Sequence, residues 1–507
     1  MHPYTVDTAV VVGAAACLAL YSSWGKKRAP YPPGPKGLPI VGNLLDMPTE
    51  HSWEAARQWS EKYGPMVYVN NLGSPFLFLN SYQVMIDLLE KKGSIYSSRP
   101  RAPMVDLGGW YDWFIALFPY GDDLRRSRQL LHKYFQQSAV QDYLPIQESS
   151  AHNLLKGLLK TPDNFAHLIR HAVGESILMV AYGYKTVEKD DPYIEIAEKG
   201  MDSLVTSLDF YLVNLIPMLR YLPKWFPGAQ FLSIAKEGYK NGMNMYRKPH
   251  EMTKKKVLDG TALPSITSKL IEDNRSEKGE ILNEELIAKV TGITYGGGAD
   301  TTVSALLTFV LAMVLHPEVM KRGQEELDRV VGKNNLPTFD DRPNLPYIEA
   351  ILKECLRWQV VGPFAMAHAL TQDDEYNGYF IPAGTTILPN LWAALRDPEY
   401  YSEADKFIPE RWLTENPPLD PNKIVYGIGR RICPGRYFAD NSLYISITSM
   451  LAAFNIEKKI GSDGKPITPS DEYTSQFIRH PLPFECSITP RSDEIVSLIH
   501  QSVEASN

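Results

Sequence analysis

The feature that most constrains this chain is a short loop built around a single cysteine, at residues 426–435. Its sequence is Tyr-Gly-Ile-Gly-Arg-Arg-Ile-Cys-Pro-Gly, so three glycines and two arginines surround Cys433. Core packing does not explain this composition, because glycine has no side chain to bury and arginine is rarely buried without a partner. Glycine lets the backbone adopt positive φ and approach a bound group closely. The loop therefore predicts a cysteine held against a cofactor.

A cysteine that binds a metal does so as a thiolate, which amide donors and nearby positive charge stabilise. Arg430 and Arg431 carry such charge, and they also suit the propionates of a haem group. The other cysteines, Cys17, Cys355 and Cys486, form neither a CxxC pair nor a disulfide framework. We interpret these three as small buried hydrophobic residues.

A second unusual segment lies at residues 296–302, within a predicted helical stretch at 283–315, and reads Gly-Gly-Gly-Ala-Asp-Thr-Thr. Each interior glycine costs roughly 0.5–1 kcal/mol relative to alanine, so helix stability does not explain three in a row. A flat cofactor against that helix face does explain them, Gly298 included. Asp300 and Thr301 then supply a carboxylate and a hydroxyl that can relay protons. A glycine patch for helix packing is the simpler alternative for this segment taken alone.

Together the two segments resemble the cytochrome P450 family. The family's cysteine loop is Phe-x-x-Gly-x-Arg-x-Cys-x-Gly, which Gly429, Arg431, Cys433 and Gly435 match, with Tyr426 in place of the phenylalanine. The helix segment is similar to the family's Ala/Gly-Gly-x-Asp-Thr-Thr motif. The resemblance covers nearly the whole chain and implies that Cys433 is the axial ligand of the iron of haem b. We expect the added hydroxyl of Tyr426 to affect the reduction potential of the iron and not its ligation.

The resemblance assigns further residues around the haem. Glu354 and Arg357 form an i, i+3 pair that the family joins to a downstream arginine, here Arg411, in a buried structural network behind the loop. Arg128 matches the arginine of a Trp-x-x-x-Arg pair that donates to a haem propionate. Leu124 occupies the tryptophan position, and the missing donor costs roughly 0.5–1.5 kcal/mol if nothing compensates.

Two basic features leave alternatives open. His368 lies where the family often places another propionate contact, but it could equally be a surface histidine. Arg128 belongs to a run of basic residues whose other members are Arg125, Arg126, His132 and Lys133. Such a run forms either a solvated helix face or, as the resemblance implies, the docking surface for an acidic reductase.

Apolar segments are candidates for the substrate site. The first is aromatic and contains Trp110, Tyr111, Trp113, Phe114 and Phe118. The resemblance implies that it forms a substrate-lining loop, although side chains at this density could equally belong to the core. Residues 361–366 and the surroundings of Phe477 are further candidates. We therefore expect a hydrophobic small-molecule substrate.

The N-terminal sequence predicts a membrane-anchored enzyme. Residues 8–25 carry no charge and are about as long as the shortest spanning helix. The basic residues 26–28 follow this run instead of preceding it, which argues against a cleaved signal peptide and places the body in the cytosol. We divide the chain into an anchor at 1–28, a proline-rich elbow at 29–39 and a haem domain at 40–507.

The haem domain is expected to be mainly α with a minor β portion, the cytochrome P450 fold. Short strands are predicted at 66–69, 75–79 and 379–388, and long helices at 283–315 and 317–331.

The functional expectation is a single-pass monooxygenase of the endoplasmic reticulum membrane. As the resemblance implies, it takes electrons from NADPH through cytochrome P450 reductase and oxidises a hydrophobic molecule, in the manner of fungal secondary metabolism. A net charge of -7 disfavours nucleic acid as a partner. The alternatives are a haem-thiolate isomerase or dehydratase that consumes no oxygen, and a haem-binding protein without turnover.

Overall fold

The computed structural model of the chain describes residues 29–209 and 211–506. The longer helices are α1 Ser52–Tyr63, α2 Asp122–Phe135, α3 Leu144–Lys160, α4 Phe165–Tyr182, α5 Pro192–Leu208, α6 Phe231–Leu258, α7 Ile266–Asp273, α8 Glu284–Ala299, α9 Thr301–Leu315, α10 Pro317–Val330, α11 Pro346–Trp358, α12 Arg436–Ala453 and α13 Asp493–Ser506. Shorter helical turns are Tyr82–Met85, Ile86–Lys91, Gly93–Tyr96, Pro103–Leu107, Trp110–Asp112, Ile115–Leu117, Ala139–Tyr143, Pro162–Asn164, Leu212–Leu215, Pro217–Tyr221, Phe339–Asn344, Leu391–Ala394, Pro409–Leu413, Asn422–Val425 and Gly429–Arg431.

Strands form a minor part of the structure. They are β1 Met66–Asn71, β2 Ser74–Leu79, β3 His368–Ala369, β4 Asp374–Tyr376, β5 Tyr379–Ile381, β6 Thr386–Pro389, β7 Phe454–Lys458 and β8 Cys486–Pro490. One sheet has the order β1-β2-β6-β3, in which β1 and β2 are antiparallel and β2 and β6 are parallel. The pairs β4-β5 and β7-β8 form two small antiparallel sheets of two strands each. The prediction of a mainly α fold with a minor β portion is confirmed.

The core is organised around α9. Residues 302–314 of this helix are buried on every side, which is the pattern of a helix at the centre of a large protein. It packs against α4, α11, α12 and β7. Together α8 and α9 form an apolar stretch long enough to cross a membrane, but 78% of its most apolar window is buried inside the protein. This stretch is therefore a core helix, and the predicted anchor at 8–25 and Cys17 lie outside the described residues.

The predicted helix at 283–315 is divided at Asp300, which has φ -123° and ψ -34°. Two local effects explain the break. The three preceding glycines lower helix propensity, and the Thr301 hydroxyl donates a 2.9 Å hydrogen bond to the Gly297 carbonyl. A threonine bond of this kind, to the carbonyl four residues earlier, often bends a helix. The break places Asp300 and Thr301 at the junction of two helices instead of within one.

A buried ionic network ties α11 to the chain that precedes the cysteine loop. Glu354 and Arg357 are fully buried and joined by hydrogen bonds of 2.8 and 2.9 Å. The Arg411 guanidinium donates to the same carboxylate at 3.1 Å, as does the Trp412 indole, and the Ile408 amide donates at 2.9 Å. The buried Glu354 carboxylate thus accepts from two guanidinium groups, an indole and a backbone amide.

We predict that Glu354→Gln destabilises the protein by about 3–5 kcal/mol, because it leaves two guanidinium groups buried without a counter-charge. The measurement is the denaturant midpoint of the holoenzyme. Glu188→Gln is the control, since Glu188 pairs with Lys160 on the exposed surface, where an ion pair contributes roughly 0–1 kcal/mol. Equal shifts for the two variants would contradict the prediction.

Candidate functional site

A cavity of about 380 Å³ brings the two unusual sequence segments together. Gly297, Gly298 and Thr301 line it from α8 and α9, and Cys433 and Gly435 line it from the cysteine loop. Residues more than a hundred positions apart thus share one space, whose volume lies within the range of small-molecule sites.

The loop holds Cys433 through backbone geometry that requires glycine. Gly427 and Gly429 have φ of 78° and 68°, and a Cβ on Gly429 would lie 2.3 Å from the Leu89 carbonyl oxygen. The Cys433 amide donates a 2.7 Å hydrogen bond to the Tyr426 carbonyl, which closes the loop. Any side chain at position 429 would therefore force the loop or the Leu89 backbone to move.

The electrostatics of the sulfur combine two opposing effects. Burial raises the pKa of the Cys433 thiol, and this effect is the larger. The Gly435 amide, which donates to the sulfur just before α12, lowers the pKa, as do the Arg128 and Arg436 guanidinium groups. The surroundings thus favour an anion without fully offsetting burial, and a bound metal ion is the influence that deprotonates such a thiol outright.

Only one of the two loop arginines faces the cavity. Arg431 lines it and donates to the carbonyls of Ser97 at 2.7 Å and Phe118 at 2.6 Å. Arg430 is exposed and bonds to the Tyr120 hydroxyl. The expectation that both arginines serve the cofactor is wrong for Arg430, because neighbouring residues in the turn Gly429–Arg431 point in different directions.

Among the described residues, three guanidinium groups of the cavity donate to backbone carbonyls but have no carboxylate partner: those of Arg99, Arg128 and Arg431. Burial and repulsion from the other two lower the pKa of Arg99 well below its usual value. Burial and Arg128 also lower the pKa of Arg431, to about 10. Uncompensated buried cations are unfavourable, so the cluster suits a ligand that carries anionic groups. Sequence reasoning missed Arg99, which no spacing connects to the loop.

The residues beside this cluster also have defined positions. His368 is 3% exposed, and its Nδ1 lies 2.7 Å from the Tyr96 carbonyl oxygen. The alternative of a surface histidine is therefore wrong, and burial lowers the pKa of this imidazole well below its usual value. Leu124 is buried and lines the cavity one helical turn before Arg128, whose Nη2 donates to the Ile432 carbonyl at 2.8 Å.

The structure places Asp300 and Thr301 on different sides of the helix break. Thr301 lines the large cavity, whereas Asp300 lines a separate small one. Its Oδ1 accepts a 2.8 Å hydrogen bond from Arg170, and its Oδ2 lies 3.1 Å from His480 Nε2. Burial raises the pKa of Asp300, but His480 and Arg170 outweigh burial and hold it below its usual value. Sequence reasoning missed both of these partners.

The apolar wall of the cavity differs in part from expectation. Of the five aromatic residues at 110–118, Phe114 alone is among the residues that line the described cavity. Trp110 and Trp113 belong to the core, where Trp113 stacks on Tyr246 at 5.0 Å. The other two segments contribute as expected; their lining residues are Val361, Gly362, Phe364, Ala365, Met366, Phe477 and Ile478. No aspartate or glutamate is among the described lining residues.

The cationic run lies on α2. Arg126 and His132 are exposed, Arg125 pairs with Asp122 at 2.5 Å, and Lys133 pairs with Asp273 at 3.4 Å. Part of the positive charge on this face is therefore already neutralised.

Comparison with known proteins agrees with this arrangement. The model of the cytochrome P450 family matches residues 32–488. Cytochrome P450 monooxygenase claR of Ampulloclitocybe clavipes is 40% identical, over 98% of this chain and 94% of its own length. Cytochrome P450 monooxygenase ppsD of Aspergillus oryzae is 38% identical, over 97% and 96%. Tryptamine 4-monooxygenase of Psilocybe cyanescens is 36% identical, over 96% and 98%. The chain therefore belongs to the cytochrome P450 family and is an enzyme of its monooxygenase class.

Proposed function

We propose that this protein inserts one oxygen atom of dioxygen into a hydrophobic small molecule, with electrons from NADPH delivered by cytochrome P450 reductase. The observation that carries the proposal is the cavity in which Cys433, Thr301 and three guanidinium groups without a described carboxylate partner meet. The fungal relatives support a role in tailoring secondary metabolites.

The residues present fit haem b, the cofactor that membership of the family implies. The Cys433 sulfur would be the axial ligand of the iron, and Gly297, where an added Cβ would meet nothing within 4 Å, leaves space along α8 for a flat ring. Gly298 also lines the cavity, but an added Cβ there would meet the Ile177 side chain. Arg99, Arg128 and Arg431 would hold the two haem carboxylates, which supply the negative charge that these cations lack. When bound, the haem supplies the redox chemistry that activates dioxygen.

The protein's own part in the reaction is to position substrate and to move protons. The Thr301 hydroxyl already donates to the Gly297 carbonyl, so its oxygen is left as an acceptor that can hold a donor within the cavity. Asp300, across the helix break, would return protons towards this hydroxyl. Proton delivery by positioned groups of this kind contributes substantially to catalysis.

The cavity wall supports an uncharged substrate. Its side chains are mainly aliphatic and aromatic, and the described lining contains no carboxylate that could pair with an ammonium group. Burying an unpaired charge is strongly unfavourable. Although one relative is named for tryptamine, the walls of this cavity favour a neutral hydrophobic molecule.

The docking proposal places the reductase against α2. This helix is close to the metal ligand, because Arg128 donates to the carbonyl of Ile432, the residue next to Cys433. The exposed Arg126 and His132 remain available to steer an acidic partner.

The membrane proposal is a single-pass anchor in the endoplasmic reticulum with the body in the cytosol. The described chain supports it through exposed apolar side chains, which are unusual on a soluble surface when they cluster. Met218, Tyr221 and Trp225 are 73%, 75% and 81% exposed within one segment, and Ile40, just after the elbow, is 90% exposed. Contact with lipid would cover such side chains.

For the reaction, we expect incubation with reductase, NADPH, labelled dioxygen and a neutral hydrophobic substrate to give product that carries one labelled oxygen atom. Thr301→Val should reduce product formed per NADPH by about tenfold, because proton delivery by a positioned group is lost. Mass spectrometry of the product provides the measurement. Product without label would favour the isomerase or dehydratase alternative, and no NADPH consumption with any substrate of a broad panel would favour a protein without turnover.

For the topology, protease added to intact microsomes should digest the catalytic body, because the basic residues 26–28 keep it on the cytosolic side. Immunoblotting against the C-terminus reads the result. Full protection that disappears only after detergent would show the opposite orientation.

A further inference from the structure

A small cavity lies on the side of α8 that faces away from the large one. Its volume is about 10 Å³, close to the space that one water molecule needs. Helices α4, α5 and α8 enclose it, and Met201 lines both cavities, so one side chain separates them. The lining residues are Arg170, Gly174, Ile194, Ala197, Glu198, Met201, Asp202, Tyr295, Ala299 and Asp300.

Asp300 needs a proton source if it is to relay protons. Arg170 and His480 hold its pKa below the usual value, so the carboxylate is ionised near neutral pH. Each of its oxygens accepts from one of these partners and retains a second lone pair. Asp300 can therefore accept a proton from the small cavity but does not itself carry one at rest.

Two carboxyl groups of α5 connect this cavity to solvent. Glu198 and Asp202 are four residues apart and therefore share a helix face. Asp202 is exposed, the Glu198 side chain is 36% exposed and the Asp300 side chain is 14% exposed. The Arg170 guanidinium bridges the two inner groups, at 3.4 Å from Glu198 and 2.8 Å from Asp300. The three carboxyl groups thus form a series from the surface to the helix break.

The protonation of these groups follows from their surroundings. Burial raises the pKa of Glu198, although Arg170 and His167 oppose it. Although Asp202 is on the exposed side of the series, its carboxyl group is partly desolvated, and this partial burial together with repulsion from Asp300 raises its pKa. The charged and titratable groups around the series come from every packed element: Arg170 and His167 from α4, Tyr295 from α8, and His480 from the C-terminal segment.

We propose that Glu198 and Asp202 supply protons to Asp300 through a water molecule held in the small cavity. This inference rests on the proposed monooxygenase function and adds the route by which protons arrive. In each step an O–H bond of a carboxyl group or water breaks as a new O–H bond forms on the next oxygen. Bulk solvent reprotonates Asp202, and no electrons move.

His480 is the competing source, because its ring touches Asp300 directly. His480 lies two residues after Ile478, on a segment that lines the large cavity. Its contact with Asp300 could therefore serve to hold this segment against the helix break instead of supplying protons. His480→Gln is therefore included as a separate variant.

The first test is infrared spectroscopy of the resting ferric holoenzyme. As the pH is lowered, a protonated carboxyl band should begin to appear above the ordinary titration range of aspartate and glutamate, and this early part of the band should decrease in Glu198→Gln or Asp202→Asn. Glu195→Gln is the matched control, since Glu195 is on the exposed side of the same helix and pairs with Lys199. An identical spectrum in all four proteins would overturn the proposal without any measurement of turnover.

The second test is the fraction of NADPH electrons recovered in product, with the remainder released as hydrogen peroxide, as a function of pH. In the wild type this fraction should fall as pH rises through the raised pKa values of the two carboxyl groups, because the supply is then deprotonated. Glu198→Gln combined with Asp202→Asn should lower it roughly tenfold at pH values below those pKa values, where the wild-type groups are protonated, and remove most of its pH dependence. This is less than the 10²–10⁴ that a positioned acid contributes, because water remains a slow source.

The outcomes distinguish a failure of the proposed function from a failure of the proton supply alone. A wild type that incorporates no labelled oxygen would overturn the proposed function and this inference with it. If the wild type incorporates labelled oxygen and the double variant behaves like the wild type, the proposed proton supply alone is overturned. A pH dependence that is lost only in His480→Gln would overturn it as well. If the double variant binds no haem, the two single variants decide in both tests.

Discussion

The structure depends above all on how the Cys433 sulfur is held at the start of α12. Positive φ at Gly429, where a Cβ would meet the Leu89 carbonyl, fixes the path of the loop. Behind it, the buried carboxylate of Glu354 binds two guanidinium groups that hold the preceding chain. Burial nevertheless raises the pKa of the thiol. The fold therefore positions a buried sulfur whose anionic form a bound metal ion would stabilise, and under the proposed haem ligation the stability of this region depends on cofactor binding.

The helix break at Asp300 lies on the wall of the large cavity opposite the cysteine loop, and it also has a functional explanation. A continuous helix would be more stable than one interrupted after three glycines. The interruption instead places the Thr301 hydroxyl in the large cavity and the Asp300 carboxylate in the small one. Departures from local structural preference are expected at functional sites, where the rest of the fold offsets their cost. The fully buried α9 provides that support immediately after the break.

Short sequence patterns predicted much of this arrangement. Contacts between residues that are far apart along the chain could not be predicted in this way. The cysteine loop, the glycine-rich helix and the Glu-x-x-Arg pair depend on short spacings, and the fold class follows from periodicity. Arg170 and His480 lie 130 and 180 residues from Asp300, so no spacing links them. The direction of Arg430 depends on a single turn, and the core position of Trp113 depends on a partner in another helix. Tertiary packing decides such features.

The central claim is that Cys433 is the thiolate ligand of a haem, and carbon monoxide binding tests it most directly. The reduced protein with carbon monoxide should show the red-shifted Soret band that thiolate donation to iron produces. Cys433→Ser should lose this band, whereas Cys486→Ala, a buried cysteine remote from the cavity lining, should retain it. A wild-type protein that binds no haem, or a Cys433→Ser variant that keeps the band, would contradict the account.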